Sequence, residues 1–87
     1  MPSGEGEIKM ILGFLEKRYP KGFDSVESLK SKIPALIDAD RLLENLIYCF
    51  EQGYLNTSPI ETEGEGIVDF YDIKISASGI RYLRGSN

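Results

Sequence analysis

Leu42–Leu55 reads LLENLIYCFEQGYL. Leu42, Leu43, Leu46, Ile47 and Phe50 recur at spacings of three and four, and Ala39 joins them from upstream. These side chains collect on one side of a helix. The helix begins at Ile37 or Asp38, where Asp38 and Asp40 suit the positive end of its dipole. Gly53 supplies a left-handed stop, and Tyr54 and Leu55 resume as strand. Leu46 and Phe50 sit near the centre of the apolar face and are expected in the core, against the first helix.

Upstream, Ile8, Ile11, Leu12, Leu15 and Tyr19 fall on one face of a first helix that starts at Glu7, with Met10 and Phe14 widening the face. Pro20 and Gly22 end it. A second helix starts near Asp24, which caps it, with Glu27 at the capping-box position. Its stripe is Val26, Leu29 and Ile33. Pro34 breaks it, and Pro34 to Ile37 form a tight connector. A short helix, a turn and a longer helix make a helix-turn-helix outline.

Downstream, Tyr54 to Thr62 reads as a strand, placed at an edge by Pro59. Glu63-Gly64-Glu65-Gly66 forms a turn. Ile67 to Ile75 is the second strand. Tyr71, Ile73 and Ile75 alternate with Asp72 and Lys74, which puts Phe70 and Val68 on the wetter face unless a bulge near Asp69 resets the parity. Ser76 caps a short final helix with Ile80 and Leu83 inward. Gly79 lets that helix pack closely, and Gly85 ends it.

Two stretches carry a family resemblance. LLENLIYCFEQGYL resembles the third helix of winged helix-turn-helix proteins as it runs through an x-G-Y-L turn into the first wing strand. ISASGIRYL, Ile75 to Leu83, is similar to the I-T-x-x-G-x-x-Y-L ending of many such proteins, including small bacterial and phage-borne ones. The resemblance spans nearly the whole chain. It implies an α+β winged helix: a three-helix core, a two-stranded β wing and a short C-terminal helix. The domain would run over residues 7–84, with flexible tails at 1–6 and 85–87. Such scaffolds often bind duplex DNA, with the exposed face of the third helix in the major groove and the wing on backbone or minor groove. They also serve as protein-interaction modules.

Charge weighs against duplex DNA. The 87 residues carry a net charge of −4. From Asp38 to Ile73 there are nine carboxylates and one guanidinium, a formal charge of −8, and the remainder of the chain is +4. The surface that would face DNA is the acidic one, whereas duplex binding rests on cations that neutralise phosphates. The exposed face of the third helix is expected to present Asp40, Arg41, Glu44, Asn45, Tyr48, Glu51 and Gln52. Arg41 can read a guanine, and Asn45 or Gln52 an adenine. The cations Lys17, Arg18, Lys21, Lys30, Lys32, Arg81 and Arg84 lie elsewhere, on the first two helices and the C-terminal end. Tyr48 and Phe70 would frame one recognition surface, rimmed by Glu44, Glu51, Asp69 and Asp72. Arg41, Glu44, Asn45, Tyr48, Gln52 and Phe70 thus form the candidate interaction face. Its partner is a protein with a basic surface, or a second copy of the chain.

Little else points to chemistry. With no histidine, the commonest general base and metal ligand is missing. Cys49, the single cysteine, has no imidazole to form its thiolate and reads as core filler. Capping accounts for Ser76. Glu61, Glu63 and Glu65 lack the glycine-centred loop of an EF-hand, and they would repel a phosphate from Gly64 and Gly66. No catalytic residue, cofactor or metal site is expected. At 87 residues the chain makes one domain, which buries roughly 60% of its unfolded surface. A lone cysteine, no leader and no apolar run of spanning length suggest a cytoplasmic protein without membrane contact. The expected function is a non-enzymatic regulatory or adaptor module acting through protein contacts. The alternative is a DNA-binding transcriptional regulator of the same fold.

Overall fold

Apolar side chains at helical and strand spacing bring four helices and one hairpin around a single core. The computed structural model describes residues 4–33 and 37–85. Among these, the order is α1 (Glu5–Arg18), α2 (Val26–Lys30), α3 (Ala39–Glu51), β1 (Leu55–Thr62), β2 (Gly66–Ile75) and α4 (Ala77–Leu83). The strands form a two-stranded antiparallel sheet, and the class is α+β. Residues 34–36 of the expected connector, and 1–3 and 86–87 of the expected tails, lie outside the described residues.

Ile8, Ile11, Leu12 and Leu15 are all buried, as the spacing of α1 requires. The helix starts at Glu5, inside the stretch expected to fray. Tyr19 does not join the apolar face: the helix ends at Arg18, ahead of Pro20, and Tyr19 is 55% exposed. In α2 the cap is Ser25 rather than Asp24. Its hydroxyl accepts from the Ser28 amide at 3.2 Å. Val26, Leu29 and Ile33 are buried as expected.

Asp38 caps α3 by accepting from the Arg41 amide at 2.8 Å. At the other end Gly53 adopts φ +81°. The Tyr54 amide donates to the Cys49 carbonyl at 2.9 Å and the Gly53 amide to the Phe50 carbonyl at 3.1 Å, a Schellman ending. The buried face of α3 is Leu42, Asn45, Leu46 and Cys49. Relative to the expected stripe it is turned toward Asn45 and Cys49, and Leu43, Ile47 and Phe50 lie half-buried on its flank, with Ala39 exposed. Phe50 meets the ring of Phe70 with centroids 5.7 Å apart.

Strand β2 carries an extra residue at two places opposite β1. Leu55 pairs with Ile75 and Asn56 with Lys74, but Ser58 pairs with Tyr71; further on, Ile60 pairs with Asp69 and Glu61 with Ile67. Asp72, in the first bulge, has φ +51°. Each bulge flips the inward parity, so Phe70, Ile73 and Ile75 all face the core and Tyr71 points out. The free edge of β2 is bridged by Phe23, which exchanges backbone hydrogen bonds of 3.0 and 2.7 Å with Ile73.

Ser76 caps α4, accepting from the Gly79 amide at 3.1 Å, and its hydroxyl donates to the Gly53 carbonyl at 2.6 Å. Gly79 is buried against the start of the hairpin. A Cβ there would lie 2.7 Å from Ile75 Cγ1 and closer still to the Tyr54 carbonyl oxygen. The close packing expected of this glycine is therefore observed. Tyr54 and Tyr82 stack across the same junction, 4.5 Å between centroids.

Candidate recognition face on the third helix and hairpin

Four turns of α3 place Arg41, Asn45 and Tyr48 along one flank, each three or four residues from the next. That flank turns toward α1. The Asn45 amide nitrogen donates to Glu7 Oε1 at 3.1 Å, and the Arg41 guanidinium forms a close ion pair with the same carboxylate. Asn45 has no exposed surface. The expectation that it lies on the outer face is therefore wrong. A buried amide needs polar partners, and Glu7 on the neighbouring helix supplies one. Arg41 keeps some solvent contact but is engaged by Glu7. The two α3 side chains best suited to read bases serve instead to join α1 to α3.

Phe70 is also misplaced by strict alternation: it is 0% exposed, inside the core. Tyr48 is half-buried. The aromatic patch expected from these two rings does not exist, because the bulge at Asp72 sends Phe70 inward. Its rim changes too. Asp69 Oδ1 accepts from the Val26 amide at 2.9 Å and from the Phe70 amide at 2.7 Å, so this carboxylate holds the first turn of α2. Asp72 is exposed and pairs with Lys74 at 3.0 Å.

Glu44 and Gln52 are exposed as expected, as are Asp40 and Glu51 beside them. At the hairpin tip Glu61, Glu63 and Glu65 are exposed. Strict alternation overlooks Tyr71, which is 62% exposed, whereas Val68 is exposed as alternation expects. A signal for Tyr71 exists: Ile67, Phe70, Ile73 and Ile75 are spaced by three, three and two, a rhythm that a strand can follow only with bulges. The arrangement is therefore acidic along the outer side of α3 and at the hairpin tip, with an aromatic side chain on the outer sheet face. It can attract cations and bury an aromatic contact.

No family model, curated protein or solved structure matches the chain.

Several polar groups outside this face have structural partners. Burial pushes the Cys49 thiol up to about 12, far from the thiolate form at neutral pH. Ser78 Oγ accepts from Arg81 at 3.0 Å. Arg84 pairs with Glu16 at 2.7 Å, and the Arg18 guanidinium lies 4.4 Å from the Phe23 ring centroid. Among the described residues no group of three or more His, Cys, Asp or Glu side chains is placed to hold a metal. No helix among them is long and apolar enough to cross a membrane.

Proposed function

We propose that this chain is a winged-helix domain that acts as a non-enzymatic regulatory or adaptor module, binding a protein partner with a basic surface through the outer side of α3 and the hairpin. The observation that carries this reading is the engagement of Arg41 and Asn45 by Glu7. With that pair turned to α1, the outer side of α3 offers the carboxylates Asp40, Glu44 and Glu51. Phosphates would meet repulsion there, whereas lysines and arginines of a protein would be attracted. The element order and the Gly53 turn support the winged-helix assignment.

Titration of the whole chain with mixed-sequence duplex DNA, and in parallel with an arginine- and lysine-rich peptide, tests the reading. The expected result is no measurable DNA affinity at low salt and peptide binding that weakens as salt rises. Glu44→Lys should reduce the peptide affinity. DNA binding with a steep salt slope would overturn the proposal in favour of a DNA-binding regulator.

A further inference from the structure

Three of the five tyrosines converge where α1, α3, α4 and the base of the hairpin meet. Tyr54 and Tyr82 stack with ring centroids 4.5 Å apart and planes 18° from parallel. Lys9 Nζ lies 5.5 Å from the Tyr82 centroid and 3.8 Å from Glu5 Oε2, the atom to which the Tyr82 hydroxyl donates at 3.4 Å. Burial is the first cause that raises the Tyr54 and Tyr82 phenols, and Tyr48 and Glu5 each add to both, so Tyr48 belongs to the same group. All three rings are half-buried and rest against the core. Fastening α4 to the hairpin accounts for the Tyr54–Tyr82 stack. It does not account for Tyr48 or for the carboxylate at the rim. Glu5 holds Tyr82 and Lys9 loosely, and its side chain is 68% exposed.

Phenol rings beside a carboxylate suit a cation, because the ring face is electronegative and the oxygens accept hydrogen bonds. Lys9 shows this from within the chain: its ammonium already lies over Tyr82. The exposed carboxylates Glu44 and Glu51 stand four residues before Tyr48 and three after it, so they flank its ring on the surface of α3. The tyrosines therefore adjoin the carboxylates that would meet a basic partner. A lysine ammonium is compact and strongly hydrated. An arginine guanidinium is planar and weakly hydrated, and it stacks on rings while donating in its own plane. Arginine thus matches the rings and the carboxylate together. We infer, building on the partner proposed above, that Tyr48, Tyr54 and Tyr82 with Glu5 anchor an arginine side chain of that partner. The outer carboxylates of α3 steer its approach, and the aromatic contact holds it.

Titration of the whole chain with an arginine–glycine repeat peptide, and with the lysine–glycine peptide of the same length, tests this. The arginine peptide should bind about fivefold more tightly. Tyr48→Leu keeps an apolar contact with the core and should erase most of that preference, whereas Tyr48→Phe keeps the ring and should retain it. Glu5→Gln should weaken the arginine peptide several-fold. Lys9→Gln removes the competing ammonium and should strengthen it. Circular dichroism checks the fold of each variant. In NMR spectra of the wild type, the ring signals of Tyr48, Tyr54 and Tyr82 should shift on adding the arginine peptide, and that of Tyr19, beyond the far end of α1, should not. Equal affinity for the two peptides overturns the anchor and leaves the acidic surface as the partner's site. So do three ring signals that stay in place, or an arginine preference that survives Tyr48→Leu. Absence of binding by either peptide overturns the anchor and the proposed partner together.

Discussion

Phe70 and Tyr71 are chain neighbours, one with no exposed surface and the other 62% exposed. Truncating the first leaves a hole among Phe50, Ile73 and the helices, so Phe70→Ala should cost about 3–5 kcal/mol in urea unfolding. Tyr71→Ala removes a ring that water already reaches, and its effect should stay within about 0.5 kcal/mol. If the two costs were reversed, the register of β2 would be wrong. Strict alternation misassigns this pair because it assumes an unbroken pleat, while Asp72, which tolerates a positive φ, carries a bulge. A second residue-scale test concerns Cys49. Its folded thiol is raised from an ordinary value near 9 to about 12. Below pH 9 both folded and unfolded thiols hold the proton, and the stability linked to it is fully present. As pH climbs toward 12 the unfolded chain releases the proton and the folded chain does not, so that stability is lost. The Tyr54 and Tyr82 phenols, raised first by burial and then by neighbours that include Glu5, act in the same direction. Stability should therefore decline above pH 9, less steeply in Cys49→Val. Thiol reagents at pH 8 should label the native protein only at the rate at which it unfolds.

At the scale of elements, α2 shows how little of a short helix resides in its own sequence. A five-residue helix has no stability in isolation. Ser25 satisfies one free amide at its start, and Asp69, from the hairpin, satisfies another. Burial of Val26 and Leu29 does the rest. Asp69→Ala should lower stability by about 1–2 kcal/mol, and amide exchange should accelerate first over residues 26–30. Equal acceleration throughout the chain would mean that α2 unfolds only with the whole domain. The apolar stripes of α1 and α3, the Gly53 stop, the Ser76 cap and the close approach at Gly79 are all legible in the sequence, because each rests on local spacing or on a residue with one strong conformational use. The inward turn of Asn45 is not legible, since it depends on Glu7, which lies on another helix. The capping role of Asp69 likewise joins residues 43 positions apart. Periodicity locates helices well; it does not say which polar side chain on a helix flank will find a partner across the core.

For the molecule as a whole, the sorting of charge decides what kind of surface is offered. The segment from Asp38 to Ile73 holds −8 against +4 in the rest of the chain. Arg41, its one cation, is paired with Glu7. Exposed carboxylates on a protruding hairpin act over roughly a Debye length, about 8 Å at physiological salt, so they influence approach more than final fit. Replacing Glu61, Glu63 and Glu65 together with glutamine takes the net charge from −4 to −1 while leaving side-chain size nearly unchanged. These side chains are exposed, so the fold should be unaffected. Association with a basic peptide should slow several-fold at low salt and its dependence on ionic strength should flatten, with dissociation little altered. Duplex DNA, in the same titration, should bind no more weakly to the triple variant than to the wild type. A loss of DNA affinity would mean that these carboxylates assist a nucleic-acid contact, and the electrostatic case for a protein partner would fail. An unchanged association rate would place the basic partner away from the hairpin tip and leave the outer carboxylates of α3, Asp40, Glu44 and Glu51, as the steering group. Charge reversal at Glu44 and Glu51 would then have to slow association.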